Sequence, residues 1–598
     1  MAAETDPQLS WTEDDAPRSG RFGDVYFSAE DGLAESRAVF LEGCGLPDTW
    51  QGRSDFTVAE LGFGTGLNIV ALLELWRRTR AADARLHLFS VEAFPMSAAE
   101  AARALARWPE LAQTAAPLLA RWPASTPGFH RIDLPESAAT LDLAVMDAHA
   151  ALSQWQGRAD AWFLDGFAPA ANPGMWSDEV LRLVGARSAP GARAGTFTVA
   201  GGVRRGLAAA GFEVAKRPGF GRKRERLEAI LPGERPSIAH PTVAVVGAGI
   251  AGAATVRALV TQGLAPLLIE AEAPGAGASG NPAALVTPRF DAGGESGAAL
   301  FAQAFERAVG LYDALPGAVI AEGALQLEGS ERDPGRFDRI AAQPFWAPGA
   351  LIRRDSAEAS RQLGEITARG GLHIRDGRVI EPAAVLAAWA QAAETRLANV
   401  VALEPVANGW RLLDADGGVI AEVETVVLSA GWALAAFAPR LRLTPARGQA
   451  SIARGPSATA AAWGGYVIPT RDGVLFGATF DRGDTGVDGR ADDDRRNLET
   501  LSQARPALAA ALANGALTHR ARIRATTPDH LPLCGELAPG LWMLGGLGSR
   551  GFTTAPLLGE HLAARVGGTP SPLPAALAAL VEPTRPSATI PDAVHTLS

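Results

Sequence analysis

Phe56-Thr57-Val58-Ala59-Glu60-Leu61-Gly62-Phe63-Gly64-Thr65-Gly66 is an apolar strand that runs into three alternating glycines. Glycine at every second position lets the backbone turn tightly and approach a ligand without side-chain clash. The stretch reads as a cofactor cradle at the carboxyl end of a strand, where open α/β sheets bind their ligands. A second passage, Val243-Ala244-Val245-Val246-Gly247-Ala248-Gly249-Ile250-Ala251-Gly252, spaces its glycines differently. Gly247, Gly249 and Gly252 follow a strand and open a helix, the context a dinucleotide fingerprint requires. Two loops of different kinds predict two nucleotide-cofactor domains fused in series.

The rest of the chain fits that division. At 598 residues it is too long for one core. Strand-like runs (Leu86–Val91, Asp142–Met146, Ala161–Leu164) alternate with helical stretches (Ala98–Arg107, Asp178–Val184) up to about Ile230, which predicts a mostly parallel sheet with helices on both faces. Residues 231–241 are proline-punctuated and aperiodic and read as a connection. A second alternating pattern starts at Thr242. It is interrupted by a middle region with strand-like pieces (Ala324–Leu327, Gly409–Leu413, Gly473–Ala478), and cofactor-like sequence returns at Ser429-Ala430-Gly431 and Leu541–Phe552. The predicted class is α/β: a first Rossmann-like domain over 1–235, a linker at 236–241, a second Rossmann-type domain over 242–570 split by an inserted α+β substrate domain, and a tail at 571–598.

Bulk properties exclude several classes. No run of about 18 apolar residues appears, so no membrane span is expected. The acidic N-terminus does not read as a signal peptide. Cys44 and Cys534 are the only cysteines, which excludes a disulfide scaffold or a cysteine-rich metal site and fits a reducing cytoplasm. The net charge of −10 disfavours a polyanionic partner such as DNA. Against that average, the only two lysines fall in one basic segment, Lys216-Arg217-Pro218-Gly219-Phe220-Gly221-Arg222-Lys223-Arg224. Such a patch is either a solvated charged turn or a phosphate contact, because screening confines its effect to about 8–10 Å.

The first loop, with its acidic-x-G-x-G-x-G spacing, resembles motif I of class I S-adenosylmethionine-dependent methyltransferases. That resemblance assigns Glu60, Gly62, Gly64 and Gly66 to the cofactor loop, Glu92 to the ribose hydroxyls and Asp147 to the adenine amino group. Asp165, in Leu164-Asp165-Gly166-Phe167-Ala168-Pro169, closes a strand and is placed at the cofactor's reactive end; a helix cap is the plainer reading. The second loop alone does not separate FAD from NAD. Glu270, ending Leu267-Leu268-Ile269, can accept from an adenosine ribose. With the late run Gly545-Gly546-Leu547-Gly548-Ser549-Arg550-Gly551 the domain resembles the D-amino-acid oxidase and glycine oxidase family of flavoenzymes. In that family the residues matching Tyr466 and Arg524 hold a substrate carboxylate; an ordinary core aromatic and a structural ion pair are the alternatives.

Longer stretches point further. Phe22–Ser28, Asp31–Arg37, Val39–Gly43, Asp165–Pro169, Pro218–Glu225, Gly277-Ala278-Ser279-Gly280-Asn281-Pro282 and Gly548–Gly551 together resemble the bifunctional tRNA 5-methylaminomethyl-2-thiouridine biosynthesis family, over nearly the whole chain. The resemblance implies FAD and S-adenosylmethionine as cofactors and a tRNA wobble uridine as substrate. It implies oxidative removal of a carboxymethyl group, then methylation of the freed amine, by a cytoplasmic monomer. It adds Ser279, Gly280, Asn281, Gly548 and Arg550 to the flavin site, and gives Lys216, Arg217, Arg222, Lys223 and Arg224 to tRNA phosphates. The competing readings are an amino-acid oxidase fused to a small-molecule methyltransferase, and a tRNA-binding scaffold with relic cofactor folds.

Overall fold

The computed structural model describes residues 6–28, 31–221, 223–235, 240–293 and 295–590. The chain divides into two compact units, Met1–Ala239 with Gly568–Ala575, and His240–Gly567 with Ala576–Ser598. Most of the connection expected at 236–241 lies outside the described residues.

The first unit is built on an eight-stranded sheet. Its strands are β1 (Asp55–Leu61), β2 (Arg85–Val91), β3 (Gly128–Leu134), β4 (Ala139–Val145), β5 (Ala159–Leu164), β6 (Ser188–Thr196), β7 (Glu213–Pro218) and β8 (Glu225–Ile230). They lie in the order β3-β4-β2-β1-β5-β6-β8-β7. The central strands β4, β2, β1, β5 and β6 are parallel, and the edges are antiparallel. Strands covered on both faces read as continuous apolar runs, as β1 and β5 do. Phe56 and Val58 enter one buried cluster, Ala59 and Leu61 the other, as period two demands. Leaving β1, the chain winds outward through β2 and β4, then returns to β5 on the opposite side. The carboxyl ends of β1 and β5 are therefore paired neighbours, Leu61 opposite Leu164, and the crevice at this switch opens between them. Residues 568–575 complete this unit: Arg131 Nη2 donates to the Pro570 carbonyl at 3.2 Å and Gln156 Nε2 to the Leu573 carbonyl at 2.8 Å.

The second unit has a six-stranded sheet of β9 (Val243–Val246), β10 (Leu267–Glu270), β11 (Glu394–Leu397), β12 (Thr425–Leu428), β13 (Leu533–Ala538) and β14 (Leu541–Gly545), ordered β11-β10-β9-β12-β14-β13. A ten-stranded sheet, which includes Thr444–Arg454, Tyr466–Pro469, Gly473–Gly477 and Leu517–Thr526, forms the inserted layer. Gly409–Leu413 departs from the expectation that groups it with the inserted layer. It is the middle strand of a separate three-stranded sheet, and Trp410 and Leu412 pack into the core of the cofactor sheet.

Two helices, α1 (Ile250–Thr261) and α2 (Gly551–Gly567), cross closely in this unit. A Cβ at Gly559 would lie 2.9 Å from the Ala254 backbone, so only glycine permits the approach. Beside it, the buried Glu560 on α2 accepts from Arg257 at 2.7 Å and from Arg307 at 2.5 Å. Removing one partner of a buried ion group costs about 3–5 kcal/mol. Glu560→Ala, which deletes the carboxylate that both guanidinia share, is expected to destabilise the second unit by that order in chemical denaturation. A loss below about 1 kcal/mol would show the triad to be marginal.

Candidate functional site

The crevice of the first unit is lined by backbone that only glycine can adopt. Gly62, Gly64 and Gly66 have φ of +89°, +53° and +76°. A Cβ at Gly62 would also meet the Gly166 Cα at 3.1 Å, across the seam between β1 and β5. Glu92, just past β2, receives the Gly64 N–H at 3.0 Å and the Phe94 N–H at 2.9 Å, and so ties the glycine loop to the next strand end. Burial raises its pKa. Asp147 is exposed and caps the helix Ala148–Gln154 by accepting from the Ala150 N–H at 3.0 Å, which leaves its second oxygen for a ligand.

Asp165 is tied to a hydrogen-bond hub that the sequence did not reveal. Asn68 Nδ2 donates to Asp165 Oδ2 at 2.7 Å and to Glu60 Oε1 at 3.1 Å. Ser36 Oγ donates to Asn68 Oδ1 at 2.7 Å, which orients the amide. Ser90 Oγ donates to Glu60 Oε2 at 2.6 Å, and the Gly166 N–H to Asp165 Oδ1 at 2.8 Å. Burial pushes Glu60 up to about 8, with the Asp165 charge adding to the rise and the Ser90 and Asn68 hydrogen bonds opposing it. Burial pushes Asp165 up to about 6, against the hydrogen bonds from Asn68 and Gly166. Asp165 is thus half-buried at the crevice and makes no helix-capping bond. Phe22 stacks on Phe167 with ring centroids 4.8 Å apart, and Tyr26 meets Phe167 edge-on at 5.1 Å, giving the crevice an aromatic wall. A Cβ at Gly64 would lie 3.1 Å from the Tyr26 ring.

The basic segment forms the β7–β8 hairpin, and its cations are largely compensated. Lys216 pairs with Glu225 at 2.7 Å, Arg217 with Glu228 at 3.5 Å, and Lys223 with Glu35 at 2.7 Å. Lys223 also lies over the Phe197 ring at 4.1 Å and is close enough to lower the pKa of Asp165, while Glu35 raises it. Arg224 is exposed. Arg222 lies outside the described residues.

The second unit encloses a cavity of about 970 Å³. Gly247, Gly249, Glu270, Ser279 and Asn281 line one end, and Gly548 and Arg550 line it near the start of α2. Glu270 accepts the Ala248 N–H at 2.6 Å, which holds the first turn of the loop against β10. A Cβ at Gly247 would stand 2.6 Å from the Ser429 carbonyl, at the seam between β9 and β12. Gly252 and Gly280 stay off the wall. A Cβ at Gly252 would fall 1.8 Å from the Gly247 carbonyl, and one at Gly280 2.1 Å from the Gly275 carbonyl, so both serve close packing. Arg520 donates to the carbonyls of Gly275, Ala276 and Gly277, and Arg522 to Ala276 at 2.7 Å, binding the 275–280 loop to the inserted sheet. Arg550 donates to Thr287 Oγ1 at 2.6 Å, and burial lowers it to about 10. Cys534 is buried, outside the cavity wall, with its thiol on the Leu558 carbonyl.

Tyr466 and Arg524 also line this cavity. Arg524 makes no ion pair among the described residues. Burial lowers its pKa, and the neighbouring Tyr466 opposes that shift. The Tyr466 hydroxyl is pushed up by burial and held back by Arg524. Space for the guanidinium comes from Gly448, where a Cβ would lie 2.2 Å from Arg524 Nη1. Nothing in the segment Arg447-Gly448-Gln449 marks this role in the sequence.

Comparison with known proteins agrees with the geometry. A family model for S-adenosyl-L-methionine-dependent methyltransferases matches residues 109–232, and one for FAD dependent oxidoreductases matches 242–565. The tRNA 5-methylaminomethyl-2-thiouridine biosynthesis bifunctional protein MnmC of Caulobacter sp. (strain K31) is 56% identical, over 98% of this chain and 98% of its own. The same-named protein of Caulobacter vibrioides (strain ATCC 19089 / CIP 103742 / CB 15) is 57% identical over 96% and 97%, and that of Maricaulis maris (strain MCS10) 45% over 94% and 93%. The chain belongs to this bifunctional family. It carries both of the family's folds, and the residues present fit both cofactors: a Cβ-free cradle anchored on Glu92 in one unit, and a cavity of about 970 Å³ with a glycine fingerprint and Glu270 in the other.

The raised carboxylates of the first unit carry a pH signature. The folded state holds protons on Glu60 and Asp165 that the unfolded chain releases. The stability this contributes is full below about pH 4.5 and is lost as pH rises through about 6 for Asp165 and about 8 for Glu60. In calorimetry the transition that shifts with S-adenosylmethionine should therefore fall in temperature between pH 5 and 8, and Glu60→Gln should flatten that fall. An unchanged slope in the variant would assign the dependence elsewhere.

Proposed function

We propose that this chain modifies the wobble uridine of tRNA in two consecutive steps. The second unit oxidises the 5-carboxymethylaminomethyl arm by two electrons, which pass to FAD, and water then hydrolyses the resulting imine to 5-aminomethyl and glyoxylate. The first unit then methylates the exposed amine to give 5-methylaminomethyl-2-thiouridine. The observation that carries the reading is the pairing, in one chain, of an uncompensated guanidinium in a flavin-type cavity with a raised carboxylate in a methyltransferase crevice. The substrate for the first is an arm with both amine and carboxylate; the substrate for the second is the amine alone.

FAD bound in the cavity supplies the two-electron acceptor. Arg524 and Tyr466 hold the arm's carboxylate, a planar guanidinium matching a planar anion at two points. That fixes the carbon between amine and carboxylate relative to the cavity floor. Desolvation at this end also favours the neutral amine, the form that can be oxidised.

S-adenosylmethionine supplies the methyl group. Asn68 orients Asp165 toward the amine that receives it. With its pKa near 6, Asp165 is still ionised at neutral pH yet is better matched to proton acceptance than an ordinary aspartate. It therefore orients the amine, stabilises the developing ammonium, and takes its proton. Glu60, Gly62, Gly64, Gly66, Glu92 and Asp147 are assigned to this cofactor. Gly247, Gly249, Glu270, Ser279, Asn281, Gly548 and Arg550 are assigned to FAD, and Gly252 and Gly280 to the backbone packing that shapes its site. We assign Lys216, Arg217, Arg222, Lys223 and Arg224 to tRNA phosphates, reached by exchange of their carboxylate partners. The functional domains are taken as 1–235 completed by 568–575, and 242–567, in a monomeric cytoplasmic enzyme.

Mass spectrometry of nucleosides from undermodified tRNA tests the order. With FAD but without S-adenosylmethionine the bare 5-aminomethyl nucleoside should accumulate; Asp165→Asn should give the same accumulation with both present. Direct methylation of the carboxymethylaminomethyl nucleoside would overturn the scheme. The carboxylate site has its own test. Gly448→Ala should displace Arg524 and raise the KM for tRNA at least tenfold, with flavin absorbance unchanged. An unaltered KM would remove Arg524 from substrate binding.

A further inference from the structure

Ten large apolar side chains are conspicuously exposed among the described residues, and Phe480 is the only aromatic one, at 43% exposure. Only Phe480 and Val487, at 49%, also line the cavity that holds Tyr466 and Arg524. An exposed phenyl ring forfeits burial that other aromatic residues of the chain obtain, so its position at a cavity rim calls for an occupant.

The rim is held in place by polar contacts, buried at Gln449 and exposed at two ion pairs. Thr479, next to Phe480, accepts the Gln449 N–H at 2.9 Å through Oγ1, and its own N–H donates to the Gln449 carbonyl at 3.1 Å. Asp481 pairs with Arg496 at 2.9 Å. On the other side Asp484 pairs with Arg490 at 2.5 Å and accepts the Gly486 N–H at 2.8 Å. The Arg490 N–H in turn donates to Gln449 Oε1 at 2.8 Å. Both segments, 479–482 and 484–490, are thus anchored on the one buried residue Gln449, the first through its backbone and the second through its side chain. The Arg482 guanidinium lies 5.9 Å from the Phe480 ring centre, which adds a cation at the edge of the apolar platform.

We propose that Phe480, backed by Val487, is the stacking platform for the pyrimidine ring whose arm enters the cavity, with Arg482 beside it facing the flanking phosphate. This rests on the tRNA reading above and deepens it. The arm's carboxylate ends at Arg524 inside the cavity, so the ring at its other end must lie toward the mouth. Unpaired bases are bound on aromatic faces and guanidinium planes because every base presents a π-face. The platform would also separate this site from that of a free amino-acid oxidase, whose substrate leaves nothing at the rim.

The test is single-turnover flavin reduction by tRNA bearing the carboxymethylaminomethyl arm, using the full-length holoenzyme. Loss of one base–aromatic stack corresponds to roughly tenfold or more in affinity. Phe480→Ala should raise the tRNA concentration for half-maximal reduction by about that factor and leave the limiting reduction rate and flavin spectrum unchanged; Phe480→Trp should restore binding. As a competitor, an anticodon stem-loop with unmodified uridine at the wobble position should bind better than one abasic there, and Phe480→Ala should erase that difference. A wild-type concentration dependence in Phe480→Ala, or a loss confined to the limiting rate, overturns the platform. If wild-type flavin is not reduced by this tRNA at all, the tRNA reading itself fails and the platform falls with it.

Discussion

Both cofactor sites depend on bare backbone at the seam between two adjacent parallel strands. At the first, Gly62 faces Gly166 across the ends of β1 and β5; at the second, Gly247 faces Ser429 across the ends of β9 and β12. Each seam occurs where the chain reverses its winding direction, so no crossover helix covers it. A side chain at either glycine would force the strand ends apart. That would disturb the register on which Asp165 in one unit, and the Ser429-Ala430-Gly431 wall in the other, depend. Each loop then gives one backbone N–H to an acidic anchor, Gly64 to Glu92 in the first and Ala248 to Glu270 in the second.

The two sites solve opposite charge problems. The methyl-transfer crevice buries carboxylates, and burial raises Glu60, Glu92 and Asp165 together. Its surroundings therefore favour a cationic or proton-donating guest. The flavin-type cavity gathers guanidinia, and burial lowers Arg524 and Arg550 on its wall. Its surroundings favour an anion. A substrate that loses its carboxylate at the second site and keeps its amine changes from a guest suited to one environment into a guest suited to the other. This contrast in charge supports the proposed order of the two reactions.

What could be read from the sequence was local. Gly62-x-Gly64-x-Gly66 and Gly247-x-Gly249-x-x-Gly252 declare their conformations within a few residues, and β1, β2, β5 and β9 declare theirs by apolar runs. Asp165, Tyr466 and Arg524 stand beside recognisable turns and strands. The Asn68 hub could not be read, because it joins Ser36, Glu60, Ser90 and Asp165 from four separate segments. Gly448 and Arg520 were hidden for the same reason: their roles exist only once Thr444–Arg454 and Leu517–Thr526 are in register. The basic segment looked more positive in the sequence than it is in the fold, since Glu35 and Glu228 are brought to it by tertiary contacts. Gly409–Leu413 has the alternation of any half-buried strand, and alternation does not say which sheet will receive it.

The return of residues 568–575 to the first unit has a consequence for how the polypeptide is made. The ribosome delivers these residues only after nearly all of the second unit has been synthesised. Until then the Arg131 and Gln156 side chains lack the carbonyls of Pro570 and Leu573. The amino-terminal unit, although translated first, is finished last, and a fragment severed at the connection would carry that unmet edge permanently. Fusion of the two activities is thus built into the assembly of one of them.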